Sequence, residues 1–149
     1  MLLRVTILSA FVLGLVLVLP VTAATPPGPV TIKTQISFAS MPFSGTFTVT
    51  EGAAALGCSG GTFFDAPRSM GVIEKHFTCT AGSGAGDSFV VLFHPRFRGV
   101  PGPGVANGPW SVLRGTGDFA DLHGTGDFSV VPTGPASGEE TFQGAVHFD

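Results

Sequence analysis

The chain has 149 residues, a formal net charge of −3, only 11% charged residues and no Tyr. No run of Lys or Arg exists, which excludes an ordinary nucleic-acid footprint, and no basic amphipathic stretch marks a membrane-surface helix. Scattered among Thr, Val and 14 Phe, the 22 Gly and 12 Pro point to short strands and tight turns around an aromatic interior.

Residues 1–23 read as a signal helix. Arg4 precedes an apolar run from Val5 to Leu19, and Pro20 leads into the small residues Val21, Thr22, Ala23 and Ala24. This order fits a secretory signal cleaved after Ala23, with Ala24 as the alternative. The competing reading is an uncleaved anchor, but the run is short of the roughly 20 residues needed to span a bilayer. No twin-Arg pair is present, so the general secretory route is expected. The mature protein is then secreted, outside the cell or in its envelope or periplasm, with no stable membrane insertion.

Residues 24–30 form a Pro-rich lead-in; its core, Thr25 to Pro29, has no strand potential. Residues 31–149 are one domain, since a chain this short builds one core. In Ile32–Phe38, Ile32, Ile36 and Phe38 share one face and Lys33, Gln35 and Ser37 the other. In Phe43–Val49, Phe43, Phe47 and Val49 alternate with Ser44, Thr46 and Thr48. A Gly-rich stretch precedes a short apolar piece at Thr62–Phe64. Val72–Thr80 alternates again, with Ile73, Phe77 and Cys79 opposite Glu74, His76 and Thr78. Lys75 falls on the apolar side, which argues against this register or puts Lys75 at an open end.

Phe89–Phe93 is continuously apolar, consistent with cover on both faces, and Pro95 ends it. Gly99 to Pro109 is expected to be loop, and Trp110–Val112 to open the next strand. Phe128–Val131 and Phe142–Phe148 are the last two. No sustained helical period occurs; one turn near Phe119–Leu122 is the most expected. About eight strands at this spacing predict an all-β fold, a single antiparallel β-barrel, with a β-sandwich as the alternative. Closure hides the sheet edges and keeps one apolar face dry.

Cys58 and Cys79 form an even pair in an exported domain, so a disulfide is expected. It closes a loop of about 22 residues, worth about 3 kcal/mol in the chain-entropy account. The rival reading is a Cys nucleophile with a His partner. Gly115-Thr-Gly-Asp-Phe119 recurs as Gly124-Thr-Gly-Asp-Phe128. A calcium-binding nonapeptide array needs more turns, and a phosphate loop needs a Lys and a helix. The structural reading has glycines allowing close backbone approach or a bulge, and Asp118 and Asp127 satisfying turn amides.

The run Trp110-Ser-Val-Leu-Arg-Gly-Thr-Gly-Asp-Phe119-Ala-Asp-Leu-His-Gly-Thr-Gly-Asp-Phe128, followed by Thr141-Phe-Gln-Gly-Ala-Val-His-Phe148, carries a resemblance. Residues 110–149 resemble the C-terminal part of small secreted bacterial domains of unknown function. Those domains are similar in architecture to the allene-oxide-cyclase-like barrels, which relate to the calycins. The resemblance implies a barrel fold and no reaction, and no catalytic residue of the cyclases matches a position here.

His76, His94, His123 and His147 make no metal-ligand spacing, so no metal or other cofactor is expected. Ser59-Gly60-Gly61, within the run Gly57-Cys-Ser-Gly-Gly61, is read as merely Gly-rich with little support for a Ser hydrolase, and Glu139 and Glu140 are strand neighbours pointing to opposite faces, so no catalytic residue is assigned. The densest mixed cluster is His94-Pro-Arg96-Phe-Arg98. With Trp110 and Arg114, His94 and Arg96 are candidates for lining a barrel mouth that holds an anionic or aromatic ligand. The competing role is a solvated strand end guarding against aggregation. The leading expectation is a non-enzymatic barrel, filled by Phe or binding a small apolar or anionic ligand. The alternatives are a cyclase- or isomerase-like enzyme using the cavity, and an envelope interaction protein showing a large exposed apolar patch. The sequence leaves the oligomeric state open.

Overall fold

A computed structural model describes residues 24–68, 71–97 and 105–149. The signal expected over residues 1–23, and Arg98 of the basic cluster, lie outside them. In chain order the strands among the described residues are β1 (Gly28–Ser37), β2 (Ser44–Glu51), β3 (Gly60–Pro67), β4 (Ile73–Ala81), β5 (Ser88–Phe93), β6 (Arg96–Phe97), β7 (Ala106–Gly115), β8 (Leu122–Gly134) and β9 (Ser137–Phe148). Successive strands pair antiparallel from β1 to β5 and from β7 to β9. β9 pairs back to β1, and β5 pairs with β7 across the short β6. The result is a closed eight-stranded barrel, with β6 outside it against β7. Closure decides for the barrel over the sandwich.

Period-two alternation explains the interior. β1 turns Val30, Ile32, Thr34 and Ile36 inward; β2 contributes Phe47 and Val49; β9 contributes Phe142 and Val146. Phe77 and Phe89 stack at 4.9 Å, and Phe47 meets Phe77 edge-on at 4.9 Å. Phe rings fill this volume without donors or acceptors to satisfy. In β5, Phe89, Val91 and Phe93 enter the core, while Val90 is buried outside it.

The barrel's two ends differ. The base carries a four-residue helix, α1 (Ala53–Leu56), a 3-10 turn at Gly117–Phe119, and the Cys58–Cys79 disulfide. Leu56, Phe119, Leu122, Cys58 and Cys79 are all buried there. α1 is a short Ala-rich segment between Gly52 and Gly57, both at positive φ (77° and 75°), a feature the sequence reading passed over. Opposite, the ends of β1, β3, β5 and β8 form the rim. Replacing both cysteines by Ser is expected to lower stability by about 3 kcal/mol, read from urea unfolding midpoints.

Two strands start earlier than expected. Gly28 and Pro29 pair with Ala145 and Val146, inside the segment read as lacking strand potential. Pro fits a strand start, because its fixed φ is compatible with extended backbone and the ladder loses one donor. β7 likewise begins at Ala106, within the stretch expected to be loop, and the Pro109 carbonyl accepts the His94 amide at 3.2 Å.

The repeat serves two different purposes. The first copy ends β7 and turns into the 3-10 segment, where Gly117 has φ 54°. Asp87, rather than Asp118, satisfies the turn: its Oδ2 accepts the Asp118 amide at 2.9 Å. The second copy runs straight through β8, where Gly126 faces Gly144. A Cβ on Gly144 would lie 2.8 Å from the Trp110 ring, so this glycine leaves room for the indole. Both repeat phenylalanines, Phe119 and Phe128, are buried.

Candidate functional site

At the rim the Phe packing gives way to a cavity of about 360 Å³. Ile36, Phe38 and Phe43 wall it on one side, with Phe38 and Phe43 edge to face at 5.2 Å across the β1–β2 connection. Phe93, Pro95 and Phe97 wall it from β5 and β6, and Phe128 and Val130 from β8. An eight-stranded barrel has an interior wide enough to be filled by side chains or to hold one small ligand. Here the base follows the first course and the rim the second.

Asp65 and Glu140 bring charge to this apolar wall. Behind them, fully buried, is Lys75. Its Nζ lies 2.6 Å from Asp65 Oδ1, 2.8 Å from Glu140 Oε2 and 3.8 Å from the centroid of the Phe63 ring. The Thr34 hydroxyl donates to Glu140 Oε2 at 2.6 Å. One cation thus faces two carboxylates where ions are unstable unless paired. The second oxygens, Asp65 Oδ2 and Glu140 Oε1, receive no hydrogen bond from the described residues. Both residues line the cavity and have acceptor capacity left over.

Each charge follows from strand alternation. Asp65 lies two residues beyond Phe63 on β3, Lys75 two before Phe77 on β4, and Glu140 two before Phe142 on β9, all at inward positions. The β4 register therefore stands, and Lys75, two residues into β4, is buried behind the open rim rather than exposed there. The missed signal was a set of single charges interrupting apolar faces on separate strands.

The four sequence candidates lie elsewhere. Trp110 is in the core, its Nε1 donating to the carbonyls of Asp127 (3.2 Å) and Gln143 (3.1 Å). Arg114 is on the outer surface, donating to Glu74 Oε2 at 3.2 Å. Plain alternation would give Arg114 the same face as Trp110. A register shift opposite Val90 and Val91 skips Leu113 and turns Arg114 outward. His94 and Arg96 are exposed, and although Pro95 and Phe97 line the cavity, neither of these two does. The structure does not gather the four into one site.

Outside the barrel, Glu74 is held by Arg114, His76 and the Arg68 guanidinium against Oε1. Burial raises its pKa, but these partners outweigh that and leave it below the usual value. Asp65 goes the other way. Burial, reinforced by Glu140 and only partly offset by Lys75, pushes it from 3.8 to about 6. A raised folded-state pKa means that the native protein binds the extra proton, so Asp65 contributes stability below about 3.8 and loses it as pH rises to about 6. This contribution is about 3 kcal/mol at most. Urea titration from pH 4.5 to 6.5 is expected to show wild type losing stability relative to Asp65→Asn.

Comparison with protein-family models, with curated proteins and with solved structures gave no significant match.

Proposed function

We propose that the chain is an exported, calycin-type barrel protein that holds one small, mainly apolar molecule at its rim. The cavity carries the reading: it is bounded by Phe, Ile, Val and Pro side chains, with two acceptor carboxylates on its wall. The disulfide is compatible with an oxidising compartment, which supports export. The resemblance of residues 110–149 to small secreted domains whose architecture is similar to the cyclase-like barrels supports the calycin-type reading. An anionic ligand is disfavoured, because Arg96 and Arg114 stand off the cavity while Asp65 and Glu140 border it.

The fluorescent apolar probe N-phenyl-1-naphthylamine tests this. Wild type is expected to bind it with enhanced emission, and Val130→Trp, which fills the cavity, is expected to abolish binding while the far-UV spectrum is kept. Equal binding by both proteins would place the probe elsewhere and remove the reading.

A second reading rests on Asp65 alone. A carboxyl near pH 6 on an apolar wall can both take and give a proton, as an isomerase or cyclase requires. Deuterium exchange into an enolisable ligand, lost in Asp65→Asn, is the expected sign of that activity.

A further inference from the structure

The charge balance beside the cavity narrows the ligand. With both acids ionised, the Lys75, Asp65 and Glu140 cluster carries one uncompensated negative charge. Lys75 Nζ is committed to Asp65 Oδ1 and Glu140 Oε2, and Thr34 also spends its hydroxyl on Glu140 Oε2. What remains on these two cavity-lining residues, 2% and 3% exposed, is acceptor capacity only: Asp65 Oδ2 and Glu140 Oε1 receive no hydrogen bond from the described residues. Among the described residues the other walls offer nothing ionic, since β1 presents Ile36, β5 Phe93 and β8 Phe128. Glu74, His76, Arg68 and Arg114 form their own cluster on the opposite face of β4.

From this we propose that the ligand is a protonated amine on an apolar body, its ammonium group donating to Asp65 and Glu140 while the body lies among the rim phenylalanines. An ammonium supplies donors and the missing positive charge together, and charge-assisted bonds in a desolvated site exceed neutral ones. An alcohol supplies a donor without charge, and a carboxylate supplies the wrong charge. The cavity volume sets the scale: about 150 Å³ holds benzene, so 360 Å³ accommodates a body of roughly twice that size. This inference rests on the cavity being a ligand site.

The test uses three probes with one body: 4-phenylbutylamine, 4-phenylbutanol and 4-phenylbutyrate, titrated calorimetrically into the exported, oxidised protein. At pH 7.5 the amine is expected to bind at least tenfold tighter than the alcohol, and the butyrate weakest. The amine stays protonated from pH 7.5 to pH 5, whereas Asp65 takes up a proton over that range. The preference is therefore expected to shrink towards parity at pH 5, with the alcohol's affinity unchanged. In Asp65→Asn it is expected to be within about threefold at both pH values. The pH series needs no variant, so it decides even if Asp65→Asn fails to fold. Equal amine and alcohol binding at pH 7.5, or a tighter butyrate, overturns the amine assignment and leaves the apolar site standing. A tenfold preference that persists unchanged at pH 5 also overturns it. If none of the three binds, the site reading falls with it.

Discussion

Lys75→Met is expected to remove about 3–5 kcal/mol of stability at pH 7. The Lys75 side chain is fully buried, and its ammonium is the counter-ion of both Asp65 and Glu140. Taking it away leaves two carboxylates close together in a low-dielectric interior with only Thr34 for help. One of them must then take up a proton, so the loss is expected to be smaller at pH 4.5 than at pH 7. Replacing the whole cluster behaves differently. Lys75→Met with Asp65→Leu and Glu140→Leu removes all three desolvation penalties, and buried ion clusters replaced this way are often neutral or stabilised. That triple variant is expected to match or exceed wild type in urea while losing any preference between amine and alcohol. A single variant as stable as wild type would mean that Lys75 reaches water, and the cluster would lose its meaning as a site.

That contrast separates what holds the fold from what the cluster is for. If three ions can be exchanged for apolar side chains without loss, folding does not require them. Their presence beside the cavity then points to recognition or proton handling.

The sequence made the barrel legible because its signal is a repeated local one. Ile32 and Ile36, Phe47 and Val49, and Phe142 and Val146 alternate cleanly, and each pair is buried as the alternation requires. The disulfide was legible from compartment logic alone. The site was harder to read, for two physical reasons. First, inward charges look like violations of the pattern when strands are read singly. Lys75 acquires sense only when β3, β4 and β9 bring Asp65 and Glu140 to it, a pairing across sequence separations of 10 and 65 that no local window contains. Second, side chains after a bulge change face. Trp110 and Arg114 share a parity in the sequence, and the skipped Leu113 puts them on opposite sides of the wall. His94, Arg96, Trp110 and Arg114 are conspicuous in a charge-poor chain, and conspicuousness of that kind favours exposed residues such as His94 and Arg96 over buried ones such as Lys75. Strand starts at Gly28 and Ala106 were missed because Pro and Gly were read as breakers, although both are tolerated where a neighbouring strand extends far enough to pair.

Phe142→Ala is expected to cost about 3–5 kcal/mol, and to lower Tm by roughly 10 °C or more. Phe142 is fully buried on β9, with ring centroids of Phe128 at 5.5 Å, Phe93 at 5.7 Å, Phe77 at 5.9 Å and Trp110 at 6.4 Å. It lies where the filled interior meets the cavity, next to Phe93 and Phe128, which line that cavity. Deleting the ring leaves a void that rigid β-strands cannot collapse to fill, so the transfer and cavity penalties add. The void would also enlarge the ligand space, and binding of a bulkier apolar probe is expected to survive in the fraction that remains folded. Phe97→Ala makes the complementary case. Phe97 is 67% exposed on β6, outside the closed barrel, yet borders the cavity. Its removal is expected to change stability by less than about 0.5 kcal/mol while weakening probe binding. Paired urea and probe titrations of the two variants separate a packed interior from a ligand wall. If Phe142→Ala were as mild as Phe97→Ala, the interior would be loosely filled, and the division into a solid base and an open rim would not hold.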